Sequence, residues 1–416
     1  MDWLGRLHHP EKYILWFLKW TALSALIGAV GGVLGVAFHY ALHFVTHLRT
    51  ENTWLVLLLP LGGLLSVAWY KLLKLRKNRG TNEIIDAVLD GEELKPQIAP
   101  GIFGAAMLTH LFGGSAGREG AALQLGGSVA SLVSRMLKLN HNDRRVLIMA
   151  GMSAVFAGLF RTPLTAALFC MEFESIGTFF SPALLPCYIS SFTASTLAGR
   201  MGVHAEGILL SSFTGISPAA TAACGMLAVC IAGLGVCMCK FFHAAEHLAA
   251  HHIKSPWVRI FAGGVLIAAM TWAVGDQRFN GAGMDMALGA VEGHGQWYYF
   301  LIKMLFTAVT LAAGFKGGEI VPTYCIGATF GLTGGSLRGL EAELAAALGL
   351  VGLFCCATNS PLASIVLSVE MFGGTNIHLF TLVCVVCFVL SGHSGLYASQ
   401  IIRFHKASTF KANRKP

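Results

Sequence analysis

Two glutamates stand where an acid is costly. Glu119 belongs to the run Gly113-Gly114-Ser115-Ala116-Gly117-Arg118-Glu119-Gly120 and Glu319 to Gly314-Phe315-Lys316-Gly317-Gly318-Glu319, each inside long apolar sequence. Glycine interrupts helices, and a helix that restarts presents free amides at its new N-terminus with the helix dipole behind them. Such a start binds a small anion without a fixed cation. One restart is expected after Gly117-Arg118-Glu119-Gly120, the other after Gly318-Glu319-Ile320-Val321-Pro322, where proline suits the first turn. The backbone around them, Gly117, Arg118 and Gly120 in one run and Gly318 in the other, is the candidate anion cradle. Glu119 is then a tethered anion: deprotonated it occupies the amides, protonated it leaves them, and its competition with a free anion couples proton movement to anion movement. The alternative is a structural acid paired with Arg118.

The elements that must hold these runs are membrane helices. Hydrophobic residues make up 55% of the 416 and charged residues 12%, against about 25% charged in soluble proteins, and the mean hydropathy is +0.65. Stretches without any Asp, Glu, Lys or Arg run over 20–48, 52–70, 97–117, 207–239, 344–369 and 371–402. Several exceed the roughly 20 residues that cross a bilayer. A cytosolic enzyme with an added anchor is excluded; the chain reads as an all-α, polytopic membrane protein. The net charge of +8 gives no single basic patch for nucleic acid. The positive-inside rule accounts for it better: Lys71, Lys74, Arg76, Lys77 and Arg79 follow the second apolar stretch, and Arg403, Lys406, Lys411, Arg414 and Lys415 close the chain. Both termini are expected in the cytoplasm. Residues 20–48 are too long for a cleavable signal and continue as a span. The 11 cysteines lie mostly in apolar segments and read as small buried hydrophobes, with neither a disulfide framework nor metal spacing.

The chain also repeats itself at an offset of about 200 residues, the signature of an internally repeated transporter. Residues 34–47 pair with 234–247, setting Gly35, His43 and His47 on Gly235, His243 and His247; 117–121 pair with 318–322; 160–172 pair with 358–370, setting Pro163 and Glu172 on Pro361 and Glu370. A single domain over 1–416 is expected, with a first repeat over 13–200 and a second over 215–403. Inverted repeats would bring the two restarts together near the midplane. Irregular backbone at that depth lines a cavity or is buried in protein. The short uncharged stretches 120–134 and 146–160 suit tilted or half-crossing helices. Glu172 and Glu370, equivalent in the two halves, suit backbone capping at a helix interface. His243-Ala-Ala-Glu246-His247 matches a zinc-peptidase pattern, but short motifs match often by chance, and His43 and His47 repeat the histidines without the acid.

Four blocks carry a family resemblance: Thr109 to Gly120, the paired Pro-Leu blocks at 160–164 and 359–362, Gly314 to Gly331, and Ser391 to Tyr397. They resemble the CLC superfamily of chloride channels and anion/proton antiporters, over about residues 13–403, and within it the bacterial fluoride/proton antiporter branch, to which Gly-Gly-Glu before the second restart points. The resemblance implies a CLC fold of two inverted repeats with broken helices whose N-termini meet at the midplane. It implies fluoride export by fluoride/proton antiport, with a chloride channel or chloride/proton exchanger as the alternative and no enzyme activity or cofactor. By the same resemblance Glu119 matches the external gating glutamate and Glu319 the extra acid of the fluoride branch that takes part in proton coupling. Tyr397 matches the tyrosine that closes the inner side and contacts the anion; Ile320 and Val321 supply amides near it. Gly80, Thr81 and Asn82 match an anion-coordinating loop whose register leaves Thr81 and Asn82 both candidates. Phe173 stands where chloride antiporters keep an internal proton-transfer glutamate, Val321 where fluoride relatives carry threonine, and Ala121 where proline is common. A homodimer in a bacterial inner membrane without a cytoplasmic regulatory domain completes the expectation.

Overall fold

The computed structural model describes residues 10–75, 79–210, 217–337, 339–406 and the backbone of 411–414. Of the basic residues assigned to the cytoplasmic side, Arg76, Lys77 and Lys415 lie outside the described residues, as do the side chains of Lys411 and Arg414.

Among the described residues, sixteen α-helices account for most of the chain. The first eight are α1 (Pro10–Glu51), α2 (Leu59–Leu72), α3 (Thr81–Asp90), α4 (Ile98–Leu111), α5 (Glu119–Met136), α6 (His141–Phe160), α7 (Pro163–Glu172) and α8 (Leu184–Arg200). The second eight are α9 (Pro218–His252), α10 (Pro256–Val274), α11 (Met284–Val291), α12 (Tyr299–Ala313), α13 (Ile320–Ser336), α14 (Ala342–Thr358), α15 (Pro361–Phe372) and α16 (Ile377–Leu390). The two series run in parallel. Each opens with a very long helix, 42 residues in α1 and 35 in α9, followed by the other membrane-length segment of its half, 53–72 and 256–274. The remaining helices of the two series run from 8 residues in α11 to 20 in α6.

Local sequence sets the helix ends. Pro163, Pro218, Pro256 and Pro361 open helices at the first turn, and Asn140 and Ser217 cap α6 and α9 by accepting from the amides of Asp143 and Ala220. α6 and α14 end on Arg161 and Asn359, both in the left-handed region, just before Pro163 and Pro361. The centre of the molecule is two helix pairs, α5 on α6 and α13 on α14. From Val146 to Phe160, and again from Leu344 to Thr358, every residue is buried, which is how a helix apolar on all sides is accommodated. The pairs close through glycine: a Cβ at Gly126 would strike the Gly151 carbonyl, and one at Gly327 the Gly349 carbonyl. Backbones approach this closely only on small residues.

The all-helical expectation misses one small sheet. β1 (Ser175–Ile176) pairs in parallel with β2 (Ile401–Phe404), which pairs antiparallel with β3 (Lys411–Arg414). The upstream partner of β2 lies more than two hundred residues away, so no local pattern announces that pairing.

Candidate functional site

The two glycine runs meet. The amide of Gly117 donates to the carbonyl of Gly318 at 2.7 Å, and the amide of Gly318 donates back to the carbonyl of Gly117 at 2.7 Å. This corrects the sequence expectation for these two residues: their N–H groups hold the breaks together and are not available to an anion. The donors left are those of the following residues. α5 starts at Glu119 with Arg118 as N-cap, and α13 starts at Ile320 with Glu319 as N-cap. The first-turn amides of Glu119 and Gly120, and of Ile320 and Val321, have no acceptor within their helices, and Pro322 carries no N–H at all.

Glu119 lies between these two starts. Its side chain is fully buried, and neither carboxylate oxygen has a hydrogen-bond partner among the described residues. The carboxylate rests on the paired glycines, where a Cβ at Gly117 or at Gly318 would collide with it. The amides that act on it are its own, that of Arg118, and that of Val321 across the break. A carboxylate held by backbone dipoles from two helix starts is the arrangement that a tethered anion requires. Arg118 does not supply a counterion by ion pairing: its guanidinium pairs with Glu206 and packs 4.9 Å from the ring centroid of Phe160. Glu206 was not singled out by its sequence, because it sits in an irregular loop far from the glycine run.

A third helix start faces the same place. α3 begins at Thr81, with Gly80 as its N-cap at φ 63°, a left-handed conformation that favours glycine. The Thr81 hydroxyl borders Gly120, where a Cβ would come 2.9 Å from Oγ1. The side chain of Asn82 accepts from the amide of Ser399 at 2.9 Å. The two candidates of the early loop thus part company: Thr81 borders the start of α5, and Asn82 anchors the loop carrying Tyr397.

Tyr397 is buried, with its ring edge-on to Phe173 at 5.9 Å. Its loop is fixed on both sides. Leu396 donates to Ala357 O at 2.8 Å, and Gln400 Nε2 donates to Phe173 O and Thr358 O at 2.8 Å each. The charges of Glu319 and Glu119 both act on its phenol. Phe173 therefore serves as the packing partner of the tyrosine. Glu319 itself is only partly buried, and the charged groups acting on it are Glu246 of α9 and Glu119. The sequence placed Glu246 only inside the zinc-peptidase pattern. In the structure His243 Nε2 lies 2.9 Å from the carbonyl of Gly395, two residues before Tyr397, which ties this histidine to the tyrosine loop. Among the described residues no three His, Cys, Asp or Glu side chains gather as metal ligands.

Glu172 and Glu370 perform the reciprocal capping that their symmetry suggested. Glu172, at the end of α7, accepts from the amides of Leu362 and Ala363 at 3.1 and 2.8 Å, in the first turn of α15. Glu370, in α15, accepts from Leu164 and Thr165 at 2.9 and 2.8 Å, in the first turn of α7. Each half caps a helix of the other.

Two cavities approach the centre. The larger, of about 840 Å³, is lined by the end of α1 and by His110, Arg118, Glu206, Arg278 and Tyr299, among others. It reaches the N-cap of α5. The smaller, of about 370 Å³, is lined by Tyr70, Lys71, Arg259 and Lys316, close in sequence to Glu319.

The sequence profile described as voltage gated chloride channel matches residues 62–392. A chloride/fluoride channel protein of Pseudomonas syringae pv. tomato is 32% identical, over 97% of this chain and 91% of its own length. The crystal structure of a CLC-type fluoride/proton antiporter superposes with a TM-score of 0.89 at 30% identity, covering 92% of this chain and 98% of that one. A slow cyanobacterial chloride/proton antiporter shares the fold, with a TM-score of 0.77 at 19% identity over 90% of this chain and 94% of its own.

Proposed function

The chain belongs to the voltage-gated chloride channel family, and on that premise we propose that it exports fluoride in exchange for protons, as a secondary active transporter of a bacterial inner membrane. The observation that carries the reading is the carboxylate of Glu119, fully buried between two helix starts without a side-chain partner. A negative charge there competes with a mobile anion for the same amides. Protonation removes the charge, frees the cradle, and carries the proton with the departing side chain.

The roles follow from position. The anion passes between the first turns of α5 and α13, offered the amides of Gly120, Ile320 and Val321, with the Thr81 hydroxyl on one flank and Tyr397 on the other. Glu319, partly exposed beside Glu246, relays the proton between Glu119 and the opposite aqueous side, a route that Phe173 cannot provide. Positive-inside asymmetry puts both termini in the cytoplasm; α1 then carries its C-terminal end, and with it the larger cavity, to the outside. Residues 13–200 and 215–403 form the two inverted repeats of one domain. Two copies associate, each with its own pathway, and the apolar outward residues of α8 (Tyr188, Phe192) and α16 (Val385, Val389) suit contact with lipid or with the second copy.

The relative named as a fluoride/proton antiporter and the acid at position 319 favour fluoride over chloride. The test is anion efflux from liposomes holding the purified protein, with fluoride and chloride electrodes read in parallel and proton uptake recorded. Fluoride efflux with stoichiometric proton uptake and little chloride flux is expected. Chloride flux equal to that of fluoride would overturn the substrate; anion flux without proton movement would overturn the coupling.

A further inference from the structure

The larger cavity holds a cation that the pathway described above does not use. Arg49 lies in the last turn of α1 and is 5% exposed. Its Nε and Nη1 have no hydrogen-bond partner among the described residues, and it forms no ion pair there. A guanidinium so buried and unpaired is costly, because the desolvation of a charge amounts to several kcal/mol unless another charge or hydrogen bonds compensate it.

The surroundings are built to receive this group and leave its charge uncompensated. Two glycines make room for it: a Cβ at Gly281 would lie 3.2 Å from Nη1, and one at Gly113 would lie 3.4 Å from its Cδ. Both glycines have φ in the left-handed region, +66° and +84°. Their loops are joined through the amide of Gly281, which donates to Gly114 O at 3.1 Å, and through Asn280 Nδ2, which donates to Gly113 O at 2.7 Å. Behind the loops stands a second buried cation, Lys303, whose Nζ donates to Ser115 Oγ, Phe279 O and Gly281 O at 3.0, 3.1 and 2.7 Å. All of these acceptors are neutral.

The acids of the cavity wall are engaged elsewhere or solvated. Glu206 pairs with Arg118 and Asp276 with Arg278. Asp285, the acid whose charge acts on Arg49, is exposed to water, where its field is screened. The inner wall is thus left with positive charge, a buried donor fork and water access.

We propose that Arg49 is the centre of an anion-binding site in this cavity, distinct from the cradle around Glu119, which takes a small inorganic anion of the halide class. The guanidinium supplies charge and the unmatched N–H donors, and Lys303 supplies long-range positive potential from behind the glycine loops. Such a site holds an anion one step beyond the N-cap of α5 and raises its concentration at that mouth of the pathway. The existence of the site does not depend on which anion is transported, so it can be tested apart from transport.

The experiment uses the full-length protein and bromide as the probe. Crystals soaked in sodium bromide are measured at the bromine absorption edge, in parallel with fluoride efflux from liposomes of the same preparation. The expected result is an anomalous peak within hydrogen-bond reach of the Arg49 guanidinium, lost in Arg49→Met, with bromide affinity by calorimetry reduced at least tenfold. Absence of the peak in wild-type crystals whose protein still transports fluoride overturns the site and leaves the transport reading standing; loss of transport with the peak retained does the reverse. A peak of unchanged height in Arg49→Met overturns the role of the guanidinium. If Arg49→Met does not assemble, Arg49→Lys keeps the charge and loses the fork, and its peak is expected at less than half the wild-type height. An equal peak in Arg49→Lys overturns the assignment.

Discussion

Replacing Glu119 by glutamine tests the tethered-anion argument at its centre. Two helix starts, those of α5 and α13, direct amides at this carboxylate. A helix start is worth up to about 2 kcal/mol to a negative charge in a partly buried setting, so the pair holds the carboxylate by about 2–4 kcal/mol. Glutamine keeps the size but not the charge, and a neutral polar group is held by such dipoles roughly half as strongly as a charged one. About 1–2 kcal/mol of that competition is therefore lost, and a free anion takes the cradle roughly 5- to 30-fold more readily. Glutamine also carries no proton. In liposomes holding Glu119→Gln, proton uptake driven by a fluoride gradient is expected to fall to that of protein-free vesicles, and fluoride binding measured by calorimetry is expected to tighten within that range. A variant that moves protons and fluoride in the wild-type ratio would refute the reasoning, because the proton would then travel without this side chain.

Three further outcomes follow from other contacts. Tyr397→Phe keeps the ring against Phe173, 5.9 Å away, and removes only the hydroxyl, so the thermal midpoint in detergent should hold while fluoride affinity or uncoupled leak changes; unchanged affinity and leak would remove the hydroxyl from the pathway. Glu172→Ala strips the acceptors from the amides of Leu362 and Ala363, and Glu370→Ala does the same to Leu164 and Thr165; each should cost about 1–3 kcal/mol, seen as a lowered thermal midpoint, with the glutamine variants milder. Lys406, beyond the last helix, donates to Asn359 Oδ1 at 2.6 Å and lies 4.0 Å from the Phe388 ring, and burial pulls its amine down from the usual lysine value to about 8. Between that value and the ordinary lysine range the unfolded chain binds a proton that the folded protein does not, so stability rises with pH across that window; Lys406→Met should flatten the rise in a series of melts from pH 8 upward.

Much of this molecule is legible along the chain because its causes are local. Uncharged runs longer than a bilayer, proline at first helical turns and glycine at breaks fix where helices stop and restart, whatever they later touch. The repeat adds long-range information of a kind that sequence can carry: Glu172 and Glu370 at equivalent places announce a symmetric role, and the structure gives them each other's helix to cap. Glu119 at a helix start is likewise readable, since the motif that breaks the helix also contains the acid.

What the sequence leaves open is decided by partners far away in the chain. The amides of Gly117 and Gly318 look as free as those of Ile320 and Val321 until folding pairs the two glycines with each other. Thr81 and Asn82 are adjacent and both polar; only the positions of Gly120 and Ser399 determine which borders the start of α5 and which anchors the tyrosine loop. Arg118 beside Glu119 looks like its counterion, yet Glu206 takes it. The strand Ile401–Phe404 pairs on one side with Ser175 and Ile176, more than two hundred residues upstream. Local backbone preference is written in neighbouring residues, whereas the satisfaction of a hydrogen bond or a buried charge depends on whatever the fold brings within about 3 Å, and for this chain that is the other half of the repeat.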